Sequence, residues 1–557
     1  MILPDVRPGY DVRLLLIFVL AALLGSGPPA APRAASVLNA PMTHDGFVQI
    51  VLELNDQPST RLPAEARGPA AEPARHRGKE HTAKLDQDQR RLLPALARLG
   101  GTVLYRTQRT YNGIGLLLPA EHVTTLAALP GVRAVHPAVL HQLAYSPNLH
   151  EVAAPAAWTA APGGTGAGQK IAIVDTGIDY THADFGGDGT PPASAAARAN
   201  PREVEPGTGF PNAKVVGGID LVGDDYDAQG DADQARPQPD PDPVDCYGHG
   251  THVAGIAAGL GVTEEGTTYR GPYSTDGPSP ALRISPGVAP GASLYAVKIF
   301  GCHGVTAVTP AAIEWAIDPN GDGDFADRMD VINLSLGSPF GSAYDSSAVA
   351  AENAARAGIV VVTSAGNQSD TYYATSSPGT ADRAIAVTAS QGEDVSSFSS
   401  RGPRRGDNAL KPDIAAPGSG IYSARNNSGA DGITMNGTSM ASPHVAGAAA
   451  LLRERRPGWS VEEIKAALLN TAGPRLQTTA GTLYSPVRAG AGRLNIDRAI
   501  RTTGVAYNAD DPGRVSITWG APEVIDALTL VKNLRLVNKS LEGRPITYRL
   551  GVTKALT

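Results

Sequence analysis

The sequence predicts an α/β fold: a doubly wound, mostly parallel sheet with helices on both faces. Three observations predict it. Five short segments, Lys170–Val174, Ser293–Ile299, Val331–Leu334, Ile359–Thr363 and Ala384–Thr388, are near-continuous apolar runs. Such runs mark parallel strands covered on both faces. Helical stretches separate them, which is the order of βαβ units. Glycine (63) and proline (45) are abundant, which suits a loop-rich fold better than a helical bundle.

The flanks read differently. At 557 residues the chain exceeds one ordinary domain. Arg7 and Arg13 precede an apolar run from Leu14 to Leu24, with small residues from Ala30 to Ala35. That run is short of the ~20 residues a membrane span needs, so 1–35 reads as a cleaved export signal. Phe47–Leu54 is β-branched and apolar, as in a strand. Lys79–Leu99 has helical spacing, with Pro94 expected to kink or restart it and Gly100-Gly101 ending it. Strands at Val103–Thr107 and Gly113–Leu118, a short helix near Ala120–Ala128 and a strand at Val132–Val135 follow. The order β-α-β-β-α-β is the ferredoxin-like pattern, placing a small α+β unit over 45–145. The α/β region spans 149–500. A β-rich tail, 501–557, carries expected strands at Val515–Trp519, Leu528–Val537 and Ile546–Val552.

Net charge is −7 and the isoelectric point is near 6.0. That excludes the basic footprint of a nucleic-acid binder. No segment after the leader is apolar and long enough to span, so no stable membrane insertion is expected after its removal. Cys246 and Cys302 are the only cysteines; in an exported chain they are expected to pair.

Three segments carry chemistry. Ile171-Ala-Ile-Val-Asp175-Thr-Gly-Ile-Asp179 puts a carboxylate at the carboxyl end of a buried strand, where open α/β sheets bind ligands. Gly248-His249-Gly250-Thr251-His252 opens a small-residue helix with an imidazole. Gly437-Thr438-Ser439-Met440-Ala441-Ser442-Pro443-His444 opens another with a hydroxyl. Pro443 is expected in or near the first helical turn. A serine hydroxyl needs a base to become a nucleophile. Imidazole supplies one near neutrality, and a buried carboxylate orients it. A fourth segment, Ser364-Ala365-Gly366-Asn367, ends a strand with an amide able to donate to an oxyanion. His249 and His252 lack the HExxH glutamate, so zinc is not expected.

The motifs DTGID, GHGTHVAG, SAGN and GTSMASPH, together with Asn333-Leu-Ser-Leu-Gly337 and a closing GAGRLNIDRAI, resemble the subtilisin-like serine proteases (subtilases) over about Trp158 to Ile500. The resemblance implies a secreted endopeptidase acting on protein or peptide substrates through an acyl-enzyme. It implies Ser439 as nucleophile, His249 as general base, Asp175 as orienting carboxylate and Asn367 in the oxyanion hole. Ser335, Leu336 and Gly337 would pair with substrate backbone, and Leu336, Gly337, Ser364, Ala365 and Gly366 would wall the pocket for the residue before the scissile bond. No acidic residue lines those segments, so broad cleavage after apolar or aromatic residues is expected. The 45–145 unit resembles the family's inhibitory propeptide, removed by self-cleavage between about Leu143 and Leu149. An inactive scaffold on the same fold is the rival reading, but such chains usually lack a triad member. Asp175 and His249 lie 74 residues apart, a long spacing filled partly by the acidic Arg236–Asp245; a second insertion lies near Gly261–Gly287.

Catalysis needs no cofactor on this reading. Asp318-Pro-Asn320-Gly-Asp322-Gly-Asp324 matches the first half of a calcium loop. Its twelfth position is Met329 in place of the bidentate glutamate, with Asp327 or Asp330 as substitutes. The alternative is a solvated acidic turn.

Overall fold

The computed structural model describes residues 43, 46–61, 72–138, 149–159, 164–200, 202–204, 209–274, 282–473, 476–525, 527–540 and 545–548, with the backbone alone for 11–19, 72–77 and 150. Most of the expected leader lies outside the described residues; the Asp11–Val19 backbone runs antiparallel to Thr529–Asn538. Among the described residues no helix is long and apolar enough to cross a membrane.

The centre is a mostly parallel sheet. Its order is Val215–Asp220, Ser293–Lys298, Lys170–Asp175, Val331–Leu334, Val360–Ser364, Ile385–Gln391, with Ile414–Pro417 beside the last. Only the two-residue strand Asp394–Val395 runs antiparallel. The expected fold class is therefore found. Ile171, Ile173, Ile332, Val361 and Val387 are fully buried, as a sheet covered on both faces requires. After Lys170–Asp175 the chain winds to one side, then returns to place Val331–Leu334 on the other. The switch in winding opens a crevice above the carboxyl end of Lys170–Asp175.

Three strands of this sheet escaped the sequence reading: Val215–Asp220, Ile414–Pro417 and the two-residue Asp394–Val395. Gly217-Gly218 in Val215–Asp220 reads as a loop, yet a Cβ on Gly218 would lie 2.2 Å from the Ala296 carbonyl. The glycines there permit close strand approach. Ile414–Pro417 ends in proline, which is tolerated at a sheet's side.

The N-terminal unit has the expected order, with a four-stranded sheet Thr102–Thr107, Gly113–Pro119, Phe47–Leu54, Val132–Pro137. Its long helix differs from expectation. It begins at Glu72 and runs unbroken through Pro94 to Arg98. Leu85, Leu92 and Leu96 are buried while Pro94 and Arg90 are exposed, so the hydrogen bond that proline forfeits falls on the solvent side. Gly100, at φ +71°, closes the helix.

This unit packs on the α/β region through the hairpin turn after Thr102–Thr107 and through Arg61 and Gln49. The Glu314 carboxylate accepts from the backbone N–H groups of Gln108 and Arg109 (both 2.7 Å) and Thr110 (2.8 Å), and from the Thr110 hydroxyl (2.8 Å). Asn353 donates to the Thr110 carbonyl at 2.5 Å and accepts from Arg61. Gln49 donates to the Ala228 carbonyl at 2.7 Å.

The tail needs one correction. Val515–Trp519 is not a strand: Val515 has φ +59°, outside extended geometry. Gly504–Asn508 pairs with Thr529–Asn538 instead. Ile546–Val552 lies partly outside the described residues.

The turn contacts predict a measurable cost. Glu314→Ala leaves the turn's N–H groups unpaired, at about 1–3 kcal/mol for the buried one of Thr110 and less for the half-buried pair. Urea unfolding of the intact chain is expected to show the N-terminal unit releasing at lower denaturant. An unchanged midpoint would mean that the carboxylate does not hold the turn.

Candidate active site

Asp175 is the last residue of its strand and is fully buried. Its Oδ1 accepts from the Thr176 N–H (2.8 Å) and from His249 Nδ1 (2.7 Å). Both side chains of the pair are sealed from solvent. His249 opens the helix His249–Ala258, and Gly250 donates its N–H to Thr176 Oγ1 at 2.8 Å. A Cβ on Gly250 would fall 2.1 Å from the Gly177 carbonyl, so the motif's glycine is a condition of the contact.

Asp245 anchors the same helix start, a role missed in the sequence. Its carboxylate accepts from the N–H groups of Tyr247, Gly248 and Thr251 and from the Thr251 hydroxyl. Burial pushes its pKa up despite those bonds. An acid just before a helix of small residues is the signal that points to it. Cys246 is bonded to Cys302, joining this loop to the segment after Ser293–Lys298. Lys298, also missed, lies opposite Asp175 in the sheet and pairs with Asp220 (2.5 Å) and Asp224.

Ser439 stands in the first turn of Thr438–Arg455, a helix packed against the His249 helix. A Cβ on Gly447 would meet the Ala257 carbonyl at 2.7 Å, so the two helices approach closely. Pro443 lies in the second turn rather than the first. It therefore strips the Ser439 carbonyl of its helical donor. The Ser335 hydroxyl replaces that donor, giving its proton to Ser439 O at 2.5 Å. In return Ser439 Oγ donates to the Ser335 carbonyl at 2.7 Å. Asn333 Nδ2 donates to Ser335 Oγ (2.9 Å), and Ser442 Oγ donates to Asn333 Oδ1 (2.7 Å). Ser335, expected at the substrate strand, thus fixes the turn that carries Ser439.

Asn367 Oδ1 accepts from the Thr438 N–H (3.1 Å) and hydroxyl (3.0 Å). A backbone N–H can only donate, so the facing atom is the carbonyl oxygen. The amide's NH₂ is left to donate elsewhere. Gly366 N–H reaches Thr438 Oγ1 at 3.2 Å, and Ser364 Oγ donates to the Leu336 carbonyl at 2.8 Å. Ala365 is buried. The expected pocket walls therefore adjoin. Between them lies Ser376, which the sequence reading missed. Its side chain would meet a Cβ on Gly337 at 2.5 Å and one on Gly366 at 2.2 Å.

The subtilase family model matches residues 166–499. The chain belongs to the subtilase family. Subtilisin DY of Bacillus licheniformis is 33% identical over 345 residues, covering 61% of this chain and 93% of that protein. Subtilisin Savinase of Lederbergia lenta is 34% identical over 357 residues, covering 64% and 98%. The minor extracellular protease Vpr of Bacillus subtilis (strain 168) is 25% identical over 559 residues, covering 72% and 62%. This subtilase is a serine-type endopeptidase, a hydrolase of peptide bonds.

The expected calcium residues lie in a tight loop beside this fold's Thr309–Ile317 helix. Asp318 Oδ2 accepts from Gly323 N–H (2.9 Å), Asn320 Oδ1 from Asp322 N–H (2.8 Å), and Asp322 Oδ1 from Asp324 N–H (2.6 Å). Asp324 Oδ1 accepts from Ala326 N–H at 3.2 Å. Gly323, at φ +78°, makes the sharp turn. Met329 is buried in the core. Asp330 is committed elsewhere, to Lys170 N–H (2.9 Å) and Arg453 (3.2 Å). Asp327 remains with the loop, accepting from Asn320 N–H at 3.1 Å.

His252 points to a pH response. Its Nε2 donates to the Ile433 carbonyl at 3.1 Å, and burial drives its pKa down to about 3. The fold therefore favours the neutral ring. That stability is complete above the ordinary pKa near 6.5 and drains as pH falls toward 3. The melting temperature of His252→Gln, which keeps a donor, is expected to fall less steeply than wild type across that window. Parallel pH curves would contradict it.

Proposed function

We infer that this subtilase is a secreted, self-processed endopeptidase in which Ser439, His249, Asp175 and Asn367 carry the reaction. The observation that bears most weight is the buried His249 Nδ1–Asp175 Oδ1 contact of 2.7 Å. It fixes the ring so that Nε2 serves as the base. Ser439 Oγ turns about its Cα–Cβ bond from the Ser335 carbonyl to that nitrogen, gives up its proton and attacks the scissile carbonyl. The helix N-terminus and the Asn367 NH₂ meet the developing oxyanion. Imidazolium then protonates the leaving amine, and water resolves the acyl-enzyme by the reverse sequence. Substrate lies along Ser335, Leu336 and Gly337 as an added strand. The neutral pocket with Ser376 at its wall suits apolar residues.

The 45–145 unit acts as propeptide and inhibitor. Its hairpin grip on Glu314 and Asn353 supports that reading. Of the stretch from about Leu143 to Leu149, where cleavage is expected, all but Leu149 lies outside the described residues. The apolar leader and the disulfide support export, as does the printed name of the extracellular relative Vpr.

A fluorophosphonate probe is expected to label the matured enzyme at Ser439. Ser439→Ala should take no label and persist at full length. An unlabelled wild type would favour an inactive scaffold, and N-terminal sequencing of active enzyme that starts before residue 140 would remove the propeptide reading. Asn367→Ala is expected to lower kcat by roughly 10²–10³, a magnitude established on subtilisin itself rather than derived from this geometry. A kcat within threefold of wild type would remove Asn367 from the oxyanion hole.

A further inference from the structure

Two loops beside the pocket, residues 338–345 and 368–377, concentrate backbone strain and exposed aromatic rings. Among the described residues, seven other than glycine have positive φ. Three of the seven fall on these loops: Phe340 (+56°), Ser369 (+56°) and Tyr373 (+65°). That region of backbone space costs a bulky residue energy, and folds keep such strain chiefly where function uses it. The same loops hold Phe340, Tyr344, Tyr372 and Tyr373, four of the nine large hydrophobic residues that stand exposed among the described residues. Tyr344 is 76% exposed and Tyr372 54%. Burial does little to offset the strain at Phe340 and Tyr373, which are 44% and 41% exposed. Clustered rings held in water against backbone strain describe a surface that another molecule covers.

The two loops are joined to each other. Ser338 donates its N–H to the Ser377 carbonyl (3.0 Å), Ser377 donates to the Ser338 carbonyl (2.9 Å), and Gly341 N–H reaches the Thr375 carbonyl (3.0 Å). Phe340 and Tyr373 each lie within two residues of that last bond. Asp345 ties the loops again: it caps the helix Ser346–Arg356 through the Ala348 N–H (2.9 Å) and accepts from the Ser377 hydroxyl (2.5 Å). Arg401 lies 4.0 Å over the Tyr372 ring and pairs with Asp370 at 3.2 Å. Both loops also begin at the candidate active site. The first leaves Gly337; the second leaves Asn367 and returns through Ser376, which stands between Gly337 and Gly366. The rings are therefore continuous with the strand and pocket assigned to substrate. They are exposed with the N-terminal unit docked, so that unit does not cover them.

We propose that Phe340, Tyr344, Tyr372 and Tyr373 form an exosite that binds apolar residues of an unfolded polypeptide substrate outside the pocket. The occupant is the substrate chain itself, because the surface continues from the segments that hold it. Tyrosine and phenylalanine offer broad contact area at low cost in side-chain entropy, so chains with apolar stretches beside the scissile bond are preferred over short substrates. The joined loops hold the rings in place before the chain arrives. Assignment of the occupant as substrate rests on the function proposed above; binding of an apolar peptide does not.

The test has two readouts. Fluorescence anisotropy of a labelled decapeptide with leucine and phenylalanine in its N-terminal half, titrated with the full chain carrying Ser439→Ala, reads docking without turnover. Adding Tyr344→Ser and Tyr372→Ser is expected to weaken binding roughly tenfold; no binding to the parent chain, or unchanged binding in the variant, would overturn the exosite. Kinetics on matured enzyme then compare the decapeptide with a blocked tyrosine ethyl ester, which reaches only the pocket. The two serine substitutions should raise KM for the decapeptide and leave the ester unchanged, whereas equal losses on both substrates would mean damage to the pocket and no exosite. Tyr373→Gly relieves the positive φ, so it is expected to keep or raise the melting temperature while weakening peptide binding. A lower melting temperature with unchanged binding would assign that ring to the fold alone. A wild-type chain that cleaves neither substrate, beside a Ser439→Ala chain that binds the decapeptide, would remove the protease reading and leave the surface standing.

Discussion

A carboxylate and an imidazole meet inside this protein with water excluded, and the architecture around them follows from that requirement. An isolated buried carboxylate is costly. Asp175 is tolerated because Thr176 N–H and His249 Nδ1 both donate to it. Those donors are in place because the sheet reverses its winding at Asp175's own strand, leaving room at that strand's carboxyl end for the His249 helix. Gly250 lets the helix come within reach, and Asp245 holds its first turn. Loss of either would move the imidazole.

Ser439 is held by a different device. Proline in a helix usually weakens it, because one carbonyl is left without a donor. Here that carbonyl is Ser439's own, and Ser335 fills it from the neighbouring strand end. The helix break is thus turned into a link between Ser439 and the Ser335 strand end. Thr438, one residue earlier, orients the Asn367 amide. Asp175, Leu334 and Ser364 end three neighbouring strands of the sheet, and the two helices that begin at His249 and Thr438 pack against each other.

Much of this was legible in the chain, for reasons that differ by element. The residues proposed for the reaction sit in short motifs, because small neighbours and helix starts are needed beside them. Phe47–Leu54 and Val331–Leu334 were bounded correctly, since mostly apolar runs leave little choice of edge. Val215–Asp220 was hidden because its glycines, read locally, signal a loop; their reason is the Ala296 backbone across the sheet. The tail strand Val515–Trp519 was wrong because one residue's positive φ outweighs β-branched content. Asp245, Ser376 and the Arg109–Asp318 pair depend on contacts between distant segments, which no local pattern encodes.

The central claim is that the sealed carboxylate makes His249 a competent base for Ser439. The direct measurement is kcat/KM on a peptide substrate for Asp175→Asn, in a chain shown by circular dichroism to keep its fold. The account predicts a fall of roughly 10³-fold or more, in line with the effect established for triad carboxylates in serine proteases. A value within tenfold of wild type would contradict it.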